Sequence, residues 1–130
     1  MSKQVPHILI VEDDDLMRDE LSHTFAEAGY GVSVAKTGEE ALVIALQQFP
    51  ELILLDILLP RMGGLEMLKE LRMHEKGKNI SILILSNLRD DGAIAEAIEV
   101  GGYDYLLKAD WSLNDVLEKV NEKFNRTASS

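Results

Sequence analysis

The chain has 130 residues, a formal net charge of −10 and no cysteine. The lack of cysteine excludes disulfides, thiolate zinc sites and cysteine nucleophiles, and the acidic balance argues against direct binding to nucleic acid or to an anionic membrane surface, since both need a basic face. At 46% hydrophobic residues, the chain has enough apolar side chains to form the core of one domain.

Short apolar segments alternate with longer amphipathic ones, which is typical of repeated strand–helix units. In chain order we predict strand His7–Val11, helix Leu16–Ala28, strand Gly31–Ala35, helix Glu39–Gln48, strand Glu51–Leu55, helix Leu65–Met73, strand Ile80–Leu85, helix Asp91–Val100, strand Tyr103–Leu107 and a last helix that begins after Ser112. The first, third and fourth strands are apolar almost throughout, as expected of central parallel strands covered on both faces. The second strand alternates, so we place it at an edge.

Sequence signals also predict where several helices begin. The segments Thr37-Gly-Glu-Glu40 and Ser112-Leu-Asn-Asp115 have the spacing of a capping box, in which a hydroxyl and a carboxylate satisfy each other's backbone N–H groups. Of the acids that follow the first strand, Asp14 or Asp15 is predicted to cap the next helix.

The ten elements predict one α/β domain, a (βα)5 chain folded into a doubly wound parallel sheet of five strands with helices on both faces. We expect the domain to span residues 1–125 and residues 126–130 to form a disordered tail. No apolar stretch reaches the length of a membrane span, and Met1–His7 lacks the layout of a signal peptide. We therefore expect a cytoplasmic protein that does not bind membranes.

Chemically active side chains follow four of the strands. Glu12 and Asp13 follow the first strand, Asp56 the third, Ser86 the fourth and Lys108 the fifth. Each alone has an ordinary explanation as a helix cap, a turn residue or a solvated side chain. Together they indicate a shared site, because the functional crevice of such sheets lies beyond the carboxyl ends of the strands. Carboxylates gathered there repel one another, which favours a hard divalent cation among them.

The motifs resemble those of response-regulator receiver domains, the phosphoacceptor part of two-component signalling, over essentially the whole chain. Ile8-Leu-Ile-Val-Glu-Asp-Asp14 resembles the acidic-pair motif, and Leu54-Leu-Asp-Ile-Leu-Leu-Pro-Arg-Met-Gly-Gly64 resembles the phosphorylation-site motif. Ile84-Leu-Ser86 and Tyr103-Asp-Tyr-Leu-Leu-Lys108 resemble the segments that carry the family's hydroxyl and lysine. The resemblance implies the flavodoxin-like strand order 2-1-3-4-5.

The resemblance implies that Asp56 takes a phosphoryl group from the phosphohistidine of a sensor histidine kinase or a phosphotransfer protein. Lys108 and Ser86 would bind the phosphoryl oxygens. Ser86 and Tyr105 would then form the switch, with Tyr105 turning inward to alter the surface of the fourth helix, fifth strand and fifth helix. That surface would act on a downstream protein or a fused output domain, with the protein a monomer or a weak homodimer on phosphorylation.

The cofactor implied by the resemblance is Mg²⁺, for which Mn²⁺ can substitute. The ligands would be Asp13, Asp56 and the backbone carbonyl of Leu58, with Glu12 acting through a water. The domain would not be an enzyme in the usual sense, since it would promote only its own phosphorylation and dephosphorylation.

One departure from the family pattern follows the lysine. The family commonly has proline there, often with a cis bond, whereas this chain has Ala109. A cis bond before a residue other than proline costs about 2.5–4 kcal/mol. We nevertheless expect a cis bond between Lys108 and Ala109, since the lysine must still reach the crevice.

Further departures lie next to the phosphoacceptor and the hydroxyl. Leu58 and Leu88 stand two residues after Asp56 and Ser86, where the family tunes hydrolysis of the phosphoryl group. Apolar side chains cannot orient an attacking water, so we expect a phosphoryl state that persists for minutes to hours. Asn87, where small residues are common, is expected to narrow access for bulky phosphodonors.

Three other functions share parts of this pattern. A hydrolase with an aspartate nucleophile usually carries a second acid two residues later, where this chain has Leu58. A flavin-binding module needs a neutral phosphate loop after the first strand, but the acids 12–15 would repel the flavin phosphate. The alternative kept open is a phosphorylation-independent protein-interaction module, which would not need the acids, the hydroxyl and the lysine.

Overall fold

The computed structural model describes residues 5–59, 62–87 and 91–126. Its elements are β1 (His7–Val11), α1 (Asp15–Glu27), β2 (Gly31–Ala35), α2 (Gly38–Gln48), β3 (Leu52–Leu55), α3 (Gly64–Met73), β4 (Ser81–Ser86), α4 (Asp91–Val100), β5 (Gly102–Leu107) and α5 (Leu113–Lys123), with short 3-10 helices at Glu75–Gly77 and Lys108–Asp110. All ten predicted elements are confirmed, and every predicted boundary agrees to within one residue. None of the helices in these ranges is long and apolar enough to cross a membrane.

The five strands form one parallel sheet in the order β2-β1-β3-β4-β5, which confirms the predicted topology. β1 and β3 pair from Ile8 opposite Leu52 to Val11 opposite Leu55, so these two central strands end side by side. The ladder continues one residue further on each strand. The N–H of Glu12 donates to Ala35 O at 3.0 Å, and the N–H of Asp56 donates to Val11 O at 3.1 Å. The backbone therefore holds both acids at the same edge of the sheet.

The strands separate two apolar clusters because alternate side chains point to opposite faces. One cluster lies under α2, α3 and α4, and its buried members include Leu9, Val11, Ile53, Leu55, Met67 and Leu68. The other lies under α1 and α5, and its buried members include Ile8, Ile10, Leu52, Leu54, Phe25 and Val120. Burying one such side chain contributes about 1.5–3 kcal/mol. The central strands are thus held on both faces, and the site is built on their fixed ends.

The helix caps largely follow the predictions. Asp14 caps α1, since its Oδ1 accepts a hydrogen bond from the N–H of Met17 at 3.0 Å. The capping box at the start of α5 is complete. The box predicted at α2 is only half formed, because the Glu40 carboxylate accepts from the N–H of Lys36 at 2.7 Å instead of from Thr37. Lys36 follows the last paired residue of β2, so its N–H lies outside the ladder and takes the carboxylate.

Arg126, the first residue of the predicted tail, contacts the domain. Its Nη2 donates to Ala28 O at 3.3 Å, and its guanidinium lies 4.6 Å from the ring centroid of Tyr30. Residues 127–130 lie outside the described ranges. The domain boundary predicted at residue 125 stays a prediction.

Candidate functional site

Three acids meet where β1 and β3 end. Glu12 and Asp56 are buried, with 2% and 5% of their surface exposed, whereas Asp13 is exposed. One carboxylate oxygen from each of the three lies within 4.8 Å of the others. Carboxylates at this separation repel strongly when they are removed from water. The acids that the sequence placed together are therefore together in the structure, as a compact set of hard oxygen donors.

Lys108 projects from the end of β5 into this acidic set. Its Nζ lies 2.6 Å from Glu12 Oε1 and 2.9 Å from Asp56 Oδ2. Burial lowers the pKa of the Lys108 ammonium, but its hydrogen bonds to the two carboxylates outweigh burial and leave that pKa above its ordinary value. Burial raises the pKa of the Glu12 carboxyl, and the hydrogen bonds from Lys108 and the N–H of Asp14 only partly oppose this. The direct pair between Glu12 and Lys108 was not foreseen from the sequence.

The expected cis bond between Lys108 and Ala109 is wrong, since every peptide bond in the described ranges is trans. β5 ends in extended backbone at Leu107, and the chain then turns through the 3-10 helix Lys108–Asp110. From this trans backbone the lysine side chain already reaches both carboxylates. The turn leaves the N–H of Ala109 free to donate to Asn87 Oδ1 at 3.1 Å.

Ser86 and Tyr105 lie in contact on adjacent strands. Ser86 ends β4 and is fully buried, while the ring of Tyr105 packs against the apolar cluster under α2, α3 and α4. Burial raises the pKa of the Tyr105 phenol, whereas its hydrogen bond with Ser86 acts in the opposite direction. The Tyr105 ring is therefore partly buried and bonded to Ser86, the residue with which the family resemblance pairs it in the switch.

The loop after β3 holds the central acid in place. The N–H of Leu58 donates to Asp56 Oδ1 at 2.9 Å, and the Leu58 side chain is half exposed. Gly64 begins α3 so close to this loop that an added Cβ would lie 2.5 Å from Ile57 Cα and 2.6 Å from Asp56 O. Glycine is therefore required at this position of the motif. Leu88 and two residues of the phosphorylation-site motif, Pro60 and Arg61, lie outside the described ranges.

Arg18 is a contributor to the site region that the sequence reasoning missed. Its Nη1 donates to Glu12 O at 3.0 Å, and its Nη2 pairs with Asp15, a contact that lowers the pKa of the Asp15 carboxyl. The guanidinium thus ties the turn after β1 to the first turn of α1. Its position in the sequence could have predicted its burial, because Arg18 precedes Leu21 by three residues and Phe25 by seven, the spacing of one helix face. These three residues are the buried ones of α1.

With this geometry established, comparison with known proteins decides the family. The family model for the response regulator receiver domain matches residues 8–121. The chain belongs to this family. As a response regulator receiver domain, it is a signalling domain of two-component systems.

Similar proteins agree with this assignment. The chain is 33% identical over 104 residues to the transcriptional regulatory protein AfsQ1 of Streptomyces coelicolor, covering 80% of this chain and 45% of that protein. It is 32% identical over 120 residues to the response regulator MprA of Mycolicibacterium vanbaalenii, covering 92% and 51%. Among solved structures, the chemotaxis protein CheY4 of Vibrio cholerae is 30% identical with a TM-score of 0.84, covering 92% of this chain and 98% of that one. The chain spans about half the length of the AfsQ1 and MprA sequences that it matches.

Proposed function

We propose that this receiver accepts a phosphoryl group on Asp56 from the phosphohistidine of a sensor histidine kinase or a phosphotransfer protein. The observation that carries the proposal is the environment of the Asp56 carboxylate. Its Oδ1 accepts the N–H of Leu58, its Oδ2 accepts from Lys108, and it lies at the end of a central strand among two further acids. Phosphoryl transfer asks the protein mainly for positioning and charge neutralisation, and this arrangement supplies a positioned nucleophile with a fixed cation.

The donor set fits the divalent cation that the family resemblance implies. Three carboxylates carry three negative charges against the single positive charge of Lys108, and all their donor atoms are the hard oxygens that Mg²⁺ prefers. Asp13, Asp56 and the backbone carbonyl of Leu58 would hold the ion directly, and Glu12 would hold it through a water. When bound, Mg²⁺ or Mn²⁺ would neutralise charge between the carboxylates and the incoming phosphoryl group.

Phosphorylation would change the hydrogen-bond partners of two side chains. Lys108 would exchange part of its contact with Glu12 and Asp56 for the phosphoryl oxygens, and Ser86 would donate to the same group. Since Ser86 is also bonded to Tyr105, its movement would be transmitted to β5. We place the output surface on α4, β5 and α5, facing a downstream protein or a fused output domain in the cytoplasm.

Labelling with a small phosphodonor tests this function. We expect the purified protein with Mg²⁺ and phosphoramidate or acetyl phosphate to gain the mass of one phosphoryl group, which then persists for minutes to hours. Asp56→Asn should gain none, and Asp13→Asn should be labelled much more slowly because a direct metal ligand is lost. An unlabelled wild-type protein would instead support the phosphorylation-independent interaction module, and a labelled Asp56→Asn variant would move the phosphoacceptor elsewhere.

A further inference from the structure

Two positions at which this chain departs from the family pattern contact each other. Asn87 follows the buried hydroxyl of Ser86, and Ala109 follows Lys108. The N–H of Ala109 donates to Asn87 Oδ1 at 3.1 Å. Proline at 109 would have no N–H to donate, and a small apolar residue at 87 would have no oxygen to accept it. The hydrogen bond therefore needs both departures, an amide oxygen at position 87 and a residue with an N–H at position 109.

The contact lies at a place where the sheet no longer holds the chain. β4 and β5 pair in register as far as Ser86 opposite Leu107. The hydrogen bond between Asn87 and Ala109 joins the residue after Ser86 to the second residue after Leu107. Lys108 therefore lies between two held residues, with Leu107 in the ladder on one side and Ala109 bonded to Asn87 on the other.

We propose that Asn87 is a positioning residue for Lys108. By fixing the N–H of Ala109 it holds the backbone turn in which the lysine ammonium lies 2.6 Å from Glu12 and 2.9 Å from Asp56. Both residues are exposed, so water competes for the bond and its removal changes the site by a modest factor.

The first test is hydrogen exchange at the single amide of Ala109, measured by NMR on the unphosphorylated protein without Mg²⁺. We expect exchange to be about two- to tenfold faster in Asn87→Ala than in wild type, as for loss of one net hydrogen bond. Asn87→Asp keeps an acceptor oxygen and should keep the protection. The control Asn79→Ala removes an exposed amide that precedes β4 and should leave Ala109 unchanged. Equal exchange in wild type and Asn87→Ala would overturn the proposal.

A second test asks whether the two positions act together. Ala109→Pro removes the donor, so it should slow labelling by phosphoramidate about two- to tenfold in wild type but have little further effect in Asn87→Ala. The ¹³Cε shift of Lys108 should change in either single variant and not shift further in the double variant. Equal effects of Ala109→Pro in both backgrounds would contradict the coupling. The labelling arm rests on the proposed function, whereas the exchange and shift measurements do not, so an unlabelled wild type would refute only that function.

Discussion

Two groups of buried polar side chains in the described part of the chain differ in charge. At the strand ends, Glu12 and Asp56 share the single ammonium of Lys108. Away from the strand ends, beside the apolar cluster under α1 and α5, the hydroxyl of Tyr30 donates to Asn121 Oδ1 at 2.5 Å. Both residues are 5% exposed. The first group carries more negative than positive charge, whereas the second is a neutral pair.

Packing around the neutral pair explains its role. The Tyr30 ring lies 5.6 Å from the centroid of Phe25 and 6.1 Å from that of Phe124, and the guanidinium of Arg126 covers it. Burial raises the pKa of the Tyr30 phenol, so the hydroxyl stays protonated and available to Asn121. Such a group is satisfied internally and stabilises the fold. The charged group is also hydrogen-bonded, but its negative charge exceeds the positive charge of Lys108, which supports the cation site proposed above.

The largest expected effect is the removal of the cation from the charged group. Lys108→Met should lower the free energy of unfolding by about 2–3 kcal/mol in EDTA, because two buried carboxylates lose their shared partner. Excess Mg²⁺ should restore part of the loss, since it binds the folded state. Urea denaturation with and without Mg²⁺ measures both. The matched control is Lys119→Met, which breaks a more exposed pair with Asp104 and should cost less than about 1 kcal/mol. Equal losses in the two variants would remove the distinction between the charged site and an ordinary ion pair.

A smaller effect is expected in the neutral pair. Tyr30→Phe keeps the ring but removes the donor, so Asn121 Oδ1 loses its buried partner and the free energy of unfolding should fall by about 1–2 kcal/mol. Because no charge is involved, the loss should be the same in EDTA and in Mg²⁺. If Mg²⁺ restored the stability of Tyr30→Phe, the neutral pair would be coupled to the charged site, and the two groups could not be treated as independent.

The smallest effect should have the opposite sign. Asp56→Asn removes one negative charge from the acidic set but preserves an oxygen for the N–H of Leu58. Relief of repulsion and of the burial of a charge should exceed the loss of one contact with Lys108, so stability in EDTA should rise by about 1 kcal/mol. Destabilisation in the same denaturation experiment would show that Lys108 balances the acids fully.

The fold was predictable because local signals agree along the chain. Apolar runs flanked by turn residues located the strands, and the acids, Ser86 and Lys108 were placed at one edge because parallel strands end there. What the sequence did not reveal were contacts set by side-chain reach. The pair between Glu12 and Lys108 joins the ends of β1 and β5, which are not neighbours in the sheet. No periodicity encodes such a pair.

The expectation for the Lys108–Ala109 bond failed for a related reason. It assumed that the lysine reaches the crevice only from a cis backbone, whereas the 3-10 turn brings it there from a trans one. The acceptor for the N–H of Ala109 is the side chain of Asn87, which lies 22 residues away and on another strand end. Arg18 was missed although its helical spacing was visible, because an arginine on a buried face is usually read as solvated.

The exposed acids beside the site bear on how ionic strength would affect the proposed phosphorylation. Asp13, Asp14 and Asp15 lie on the surface next to the buried carboxylates, in a chain of net charge −10. A small phosphodonor is an anion and approaches against this field, which salt screens over about 8–10 Å at physiological concentration. Added salt therefore assists small anionic donors, while a protein donor with a basic docking face associates fastest at low salt. If Asp56 is the phosphoacceptor, this acidic surface would disfavour small anionic phosphodonors and favour a protein donor with a basic docking face.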